Sequence, residues 1–368
     1  MKRVILAVTN DLTGDQRIHK VAVSLMKFGY EPVLAGRRLR HSVPVSRPYE
    51  CRRFQLLVKK GVLFYISYNF RLLLYLLFVK ADIFLANDLD TLPAIFVAGR
   101  IRRKQIVYDT HEYFTEVPEL VNRPMVKRTW EFIERLIFPR LKSVYTVNGS
   151  IANIYASKYG IPLKVVRNVP AASKPDPVSG SLPARFTDRP VIIYQGAVNI
   201  GRGLEEMIYA LPLMPDYHLL IVGDGDIKVQ LEDVVRQLDL GSRVYFAGRV
   251  PFDQLSWYTR QAALGMSLEQ DTGLNYHYAL PNKLFDYMQE GIPVIASCLP
   301  EIRQIVENVG FGVVVDRFDP EYLSETIKSM LYNPELLQTW RERALNASPE
   351  YSWEAEEAVL EEIFPRQS

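Results

Sequence analysis

An amide, a lysine and a carboxylate are gathered in the run Pro281-Asn282-Lys283-Leu284-Phe285-Asp286-Tyr287-Met288, which gives way to Gly291-Ile292-Pro293 and the apolar Val294-Ile295-Ala296. The pattern reads as a loop that opens a short helix, then a glycine and proline break, then a buried strand. The first turn of a helix leaves N–H groups unpaired and carries positive dipole, so an anion is favoured there; Lys283 adds a full charge beside it. Asp286, one turn further in, can accept hydrogen bonds from a pair of hydroxyls. A diphosphate carried on a ribose satisfies both groups, with Asn282 and Leu284 flanking the lysine in the same contact.

A second run has related chemistry. Gly196-Ala197-Val198-Asn199-Ile200-Gly201-Arg202-Gly203 follows the strand-like Val191–Gln195 and leads into an amphipathic helix. Glycine lets the backbone approach a phosphate closely, and arginine can hold two of its oxygens at once; a plain helix cap is the simpler duty of the same residues. Gly223-Asp224-Gly225 follows the strand His218–Val222, but Lys228 stands where a dinucleotide fingerprint needs its third glycine, which argues against NAD. In the first half, Ile106-Val107-Tyr108-Asp109-Thr110-His111-Glu112 sets a histidine just beyond a strand. Such a histidine can donate to a hydroxyl or to developing charge near neutral pH, or can be satisfied within its own loop by Asp109 or Glu112.

Positioning these groups requires parallel α/β sheets. Apolar strand-like runs alternate with helical patterns throughout: Arg3–Thr9, Pro32–Ala35, Ile83–Ala86, Gln105–Tyr108 and Ser143–Val147 in the first half, and Val191–Gln195, His218–Val222, Arg243–Ala247, Ala263–Leu268, Pro293–Ser297 and Gly312–Val315 in the second. The fold class expected is α/β with two doubly wound, Rossmann-like parallel sheets facing a cleft. Residues 1–170 form the first domain, a proline-rich linker spans 171–190, residues 191–348 form the second domain, and 349–368 make a closing helix.

The 368 residues carry a net charge of +2, yet residues 1–170 hold 28 lysines and arginines against 13 acids, and the remainder is correspondingly acidic. That asymmetry fits two domains with separate partners, the basic one facing a phosphate-bearing acceptor or an anionic membrane surface, or simply attraction between the domains. Gly61–Val79 is 19 residues long and mostly apolar, but Asn69 and Arg71 at its centre argue against a membrane span. It either buries its apolar face in the core or lies on a membrane. Two cysteines without metal or disulfide spacing and no signal peptide suggest a reducing, cytoplasmic compartment, with a peripheral position on the inner membrane face.

The order PNK-x-x-D-Y-M, then G-x-P-V-I-A, together with Arg202-Gly203 upstream, resembles the retaining GT-B glycosyltransferases of group 1, of the bacterial polysaccharide-biosynthesis type. The resemblance extends along nearly the whole chain. It implies transfer of a sugar from a nucleotide diphosphate donor, UDP or GDP, to a glycan or polyprenyl-linked acceptor hydroxyl, with no metal, no other cofactor and no nucleic-acid partner. By the same resemblance Arg202 and Lys283 contact the diphosphate, Gly196, Gly203, Gly223 and Gly225 line the donor side, the backbone near Arg249 and Val250 holds the base, and Asp286 takes the ribose. His111 falls near the transferred sugar. The opening Asn10-Asp11…Asp15-Gln16-Arg17 resembles a bacterial subgroup in which Asp15 or Arg17 touches acceptor or donor phosphate, Asp15 being equally suited to cap the next helix. Glu112 joins this acceptor side.

Two departures stand out. The family often has a second basic residue where Ala197 stands, and its first glutamate is missing at Tyr278 or moved to Glu269 or Asp271. Asp88-Leu89-Asp90 has the D-x-D spacing of metal-dependent transferases but belongs to the other half of the chain. Two rival readings share the architecture: a nucleotide-sugar 2-epimerase, which needs no acceptor, and a non-catalytic sugar-nucleotide binding partner.

Overall fold

The computed structural model describes residues 1–40, 42–117, 120, 123–172 and 178–367, so residues 173–177 of the expected linker lie outside the described residues. The chain divides into two compact units, Met1–Asn168 with Glu356–Ser368, and Val169–Ala355.

The first unit is built on strands β1 (Arg3–Asp11), β2 (Glu31–Arg38), β3 (Glu50–Gln55), β4 (Ile83–Asn87), β5 (Gln105–Thr110), β6 (Val144–Thr146) and β7 (Lys164–Val165). They pair in parallel in the order β3-β2-β1-β4-β5-β6-β7. The central strands are apolar runs because helices cover both their faces: Val4–Ala7 and Phe84–Ala86 are wholly buried. Two strands were not expected. β3 (Glu-Cys-Arg-Arg-Phe-Gln) is an edge strand that buries only Phe54, and β7 is two residues long, so neither carries an apolar run to read.

The helix Val62–Phe78 buries Phe64, Tyr68, Leu72 and Leu76, one face at four-residue spacing. Asn69 is accounted for by tertiary bonding: its amide donates to the Asp90 carbonyl at 2.7 Å and accepts from the Ala94 N–H at 3.1 Å. Among the described residues no helix is long and apolar enough to cross a membrane.

The second unit has strands β8 (Val191–Gln195), β9 (His218–Val222), β10 (Val244–Gly248), β11 (Leu264–Ser267), β12 (Val294–Ser297) and β13 (Gly312–Val315), parallel and in the order β10-β9-β8-β11-β12-β13. Separate hydrophobic clusters cover its two faces, one around Ile192, Ile221 and Met266, the other around Ile193, Leu220 and Val294. This alternation along each strand is the doubly wound pattern.

The last helix, Trp353–Ile363, starts in the second unit, where the Trp353 N–H donates to the Pro170 carbonyl at 2.8 Å. From Glu356 onward the chain belongs to the first unit. There Glu356 bonds Arg167 at 3.0 Å, Glu357 bonds Lys27 at 2.7 Å, and Leu360 and Phe364 are fully buried. Phe364→Ala should therefore cost about 3–5 kcal/mol, the range for deleting a buried aromatic side chain. Urea unfolding measures it, and an unchanged midpoint would mean that this segment does not hold the first unit's core together.

Candidate active site

In the second sheet the strand order reverses between β8 and β11, the place where open α/β sheets take ligands beyond their carboxyl ends. Two close glycine contacts bring chemistry there. Gly203 has a φ of +71°, and a Cβ on it would fall 2.4 Å from the Leu268 side chain, so the loop carrying Arg202 packs directly on the exit of β11. A Cβ on Gly265 would fall 2.6 Å from the Tyr287 ring, so the helix Asn282–Gln289 lies against β11 itself. Arg202 and Lys283 approach the same point from these two sides.

That point is Glu269, fully buried two residues past β11. One carboxylate oxygen accepts from Lys283 Nζ at 2.6 Å and lies 3.7 Å from Arg202 Nη1; the other accepts from the Ser267 hydroxyl at 2.7 Å. Burial alone opposes ionisation, but Lys283, the Ser267 hydrogen bond and Arg202 together outweigh it and hold Glu269 below the usual carboxylate range. Lys283 is buried, its Nζ 4.1 Å from the centre of the Tyr194 ring. Arg202 lies over Tyr276, its guanidinium carbon 4.8 Å from the ring centre, and its Nε is buried without a hydrogen-bond partner. Two cations on one carboxylate leave a positive charge in excess beside the start of a helix, an arrangement suited to an anion. Lys283 Cε stands 3.5 Å from where a Cβ on Gly196 would be, so the lysine also lies against the loop that follows β8.

Asp286 is half-buried, and its carboxylate accepts from Gln195 Nε2 at 3.0 Å. Gln195 Oε1 in turn accepts from the Thr259 hydroxyl at 2.8 Å, so the last side chain of β8 fixes the carboxylate that was assigned to a ribose. Asn282 is exposed at the helix start, and Arg249 is exposed just after β10.

Packing gives the other expected donor residues a structural duty. Leu284 is fully buried in the core and its N–H donates to the Pro281 carbonyl, so its side chain packs the helix. Val250 packs against the same core. Gly223 and Gly225 are glycines because the loops are interlocked: a Cβ on either would fall within 2.3 Å of the Gly196 or Val198 carbonyl oxygen.

In the first unit the order reverses between β1 and β4. Asp88, just past β4, has a φ of +64°, and its carboxylate lies 3.0 Å from His111 Nε2. Neither loop acid foreseen for this histidine supplies that contact. Burial opposes the charged imidazole, but Asp88 and Asp109 overcome it and raise His111 above its ordinary value. His111 Nδ1 is buried without a hydrogen-bond partner. Asp90, the other acid of the D-x-D tripeptide, accepts from the Thr9 hydroxyl. Among the described residues no cluster of three or more metal-binding side chains occurs.

Arg17 is corrected outright. It is buried, with both arms on Asp109 at 2.8 and 2.9 Å and a third bond to the Val166 carbonyl, so no part of it faces an acceptor. Asp15 caps the helix Gln16–Lys27 by accepting from the Ile18 N–H at 3.1 Å. Glu112 is exposed beside His111. Asp88, Gln195, Thr259 and Ser267 were not foreseen; only the place of Glu269, directly after a strand, was a signal in the sequence.

Residues 183–347 match the family model described as glycosyl transferases group 1, and residues 15–170 that described as glycosyltransferase family 4. Between them the two matches cover most of the chain, and both are to glycosyltransferase families. A lipopolysaccharide core biosynthesis glycosyltransferase, LpsE of Rhizobium meliloti, is 22% identical over 156 residues, covering 42% of this chain and 44% of LpsE. The first curated relatives are likewise matched over less than half of their own length, 38% and 44%. Among solved structures, sucrose-phosphate synthase from Thermosynechococcus elongatus has the same fold, with a TM-score of 0.80 at 18% identity over 99% of this chain and 98% of that one. Anabaena Alr3699/HepE, solved in complex with UDP-glucose, gives 0.74 at 14% identity over 99% of both chains.

The two perturbed groups make opposite predictions. Because Glu269 is depressed, its contribution to stability is present above the usual carboxylate pKa and is lost as pH falls through its folded value. Unfolding by urea between pH 6 and 3 should show a steeper loss in the wild type than in Glu269→Gln, and equal slopes would contradict the assigned pairing. His111 is raised, so its contribution is present below the ordinary histidine pKa and is lost as pH rises through the folded value. Its NMR titration midpoint should lie above about 6.5 and fall in Asp88→Asn.

Proposed function

We propose that this glycosyltransferase moves a sugar, with retention of configuration, from a UDP or GDP sugar to a hydroxyl of a glycan or polyprenyl-linked acceptor in cell-surface polysaccharide synthesis. The convergence of Arg202 and Lys283 on Glu269 at the second unit's switch point carries the reading, because it offers fixed positive charge where a diphosphate leaves. Arg202, more exposed and with an unpartnered Nε, grips the phosphate oxygens; Lys283 adds charge from behind. Held by protein cations, the departing diphosphate needs no metal ion. Asp286 orients the ribose. The bond from the sugar's anomeric carbon to phosphate breaks as the bond to the acceptor oxygen forms on the same face, and the leaving phosphate takes the acceptor's proton. His111, with Nδ1 unpartnered, donates to a hydroxyl of the transferred sugar.

The UDP-glucose bound by a protein of the same fold favours a uridine donor. The basic first half and the exposed Leu63, Phe70 and Phe78 of the helix Val62–Phe78 support a peripheral place on the anionic inner face of the cytoplasmic membrane.

Removing one preorganised charge from such a site lowers turnover by about 10²–10³. Arg202→Ala and Lys283→Met should each show that loss in a transfer assay while remaining folded, and UDP should raise the melting temperature of the wild type more than of either variant. Unchanged turnover in both variants would sink the diphosphate assignment. In His111→Ala transfer should fall more than donor binding.

A further inference from the structure

The first unit contains a cavity of about 690 Å³, well within the range of about 300–1,000 Å³ typical of ligand sites. Its walls are mainly apolar: Val62 and Ile66 from the helix Val62–Phe78, Phe114, and Val126, Trp130 and Ile133 from the helix Pro124–Ile137. Trp130 is 7% exposed and meets Tyr65 and Phe114 edge-on, with ring centres 5.2 and 5.4 Å away, which makes this wall stiff. The pocket opens to solvent past Val62 and Ile66, and an apolar, concave space of this size is the usual form of a ligand site.

The polar members of the lining say which occupant. Asn69 is bonded to the Asp90 carbonyl and the Ala94 N–H, Pro93 lies in the same turn, and Glu112 follows His111 directly, so one side of the cavity adjoins the Asp88–His111 pair. Arg123, also in the lining, is exposed and cationic, and Lys59 and Lys60 are exposed just before the helix that supplies Val62. Val62 and Ile66 are 57% and 59% exposed, and Phe70, Leu74 and Phe78 continue the same face at four-residue spacing, so the apolar wall runs out onto an apolar surface. An aliphatic chain with an anionic head matches this combination of apolar walls and basic rim; a free sugar does not.

We infer that the cavity holds the prenyl chain of a polyprenyl-phosphate-linked acceptor, with Arg123 as counter-charge to its phosphate and the saccharide towards His111. The inference rests on the transferase reading and narrows its acceptor from glycan or lipid to lipid.

The test is titration calorimetry of the full chain with farnesyl phosphate below its micelle concentration, with dodecyl phosphate and inorganic phosphate as comparisons. Each is measured on the wild type, on Val126→Trp, which fills the cavity, and on the milder Thr129→Phe. Farnesyl phosphate should bind saturably and one to one, at least about tenfold more weakly to either variant, a difference of about 1.4 kcal/mol. Inorganic phosphate should give no saturable heat. Absence of saturable farnesyl phosphate binding, or equal affinity in a folded filled variant, would overturn the assignment. Dodecyl phosphate binding as tightly as farnesyl phosphate would overturn the prenyl identity in favour of an acyl chain. UDP binding measured on the same samples separates the two readings. Intact UDP binding without prenyl binding refutes the cavity's role alone, whereas prenyl binding without any nucleoside diphosphate binding refutes the transferase.

Discussion

The buried Glu269 carboxylate is the constraint around which the second unit's site is built. A carboxylate without water is strongly unfavourable unless charge and hydrogen bonds surround it. Glu269 has both, from Lys283, Arg202 and Ser267, which come from a helix, a loop and the end of β11. The acid therefore ties together the elements that must supply positive charge at one place. It also solves the problem the cations pose: two like charges brought close repel each other, and the shared carboxylate cancels one of them before any ligand arrives. What remains is a site with charge to offer and little reorganisation needed to offer it, the condition under which electrostatic stabilisation is most effective.

The two units use the same topological device for different chemistry. Each sheet reverses its strand order once in its interior, and each reversal carries a charged pair just beyond the strand ends: Glu269 with Lys283 and Arg202 in the second unit, Asp88 with His111 in the first. The first pairing presents cations suited to a diphosphate. The second presents a carboxylate-backed imidazole suited to hydroxyls. In the same unit, the buried Arg17–Asp109 pair ties the helix Gln16–Lys27 to β5 and adds structure without chemistry, and removing either partner would strand a charge in the core.

Much of the fold was legible because parallel strands covered on both faces are continuous apolar runs, and β8, β9 and β13 have the bounds read from sequence. β3 was not, because an edge strand need bury only one residue and can carry Glu50, Arg52 and Arg53. At the site, residue types at fixed local spacing were readable: the lysine and aspartate of one helix, the arginine between two glycines. Partners were not. Arg17 looked like a loop cation because Asp109 lies 92 positions away, and the link between Gln195 and Asp286 spans 91. The packing need for Gly225 was not legible, because a glycine needed for loop packing and one needed for phosphate approach are the same letter. Leu284 sat beside Lys283 in sequence, yet neighbouring helix positions face different ways, and it went to the core.

The account stands or falls on whether a nucleoside diphosphate sits against the cations that Glu269 holds. A crystal structure of the protein with UDP measures this directly. The β-phosphate should lie within about 3 Å of Arg202, hydrogen-bond distance, and beside Lys283 at the start of the helix Asn282–Gln289, with the ribose hydroxyls on Asp286. A diphosphate bound away from both cations, with Arg202 and Lys283 still closed on Glu269, would contradict it.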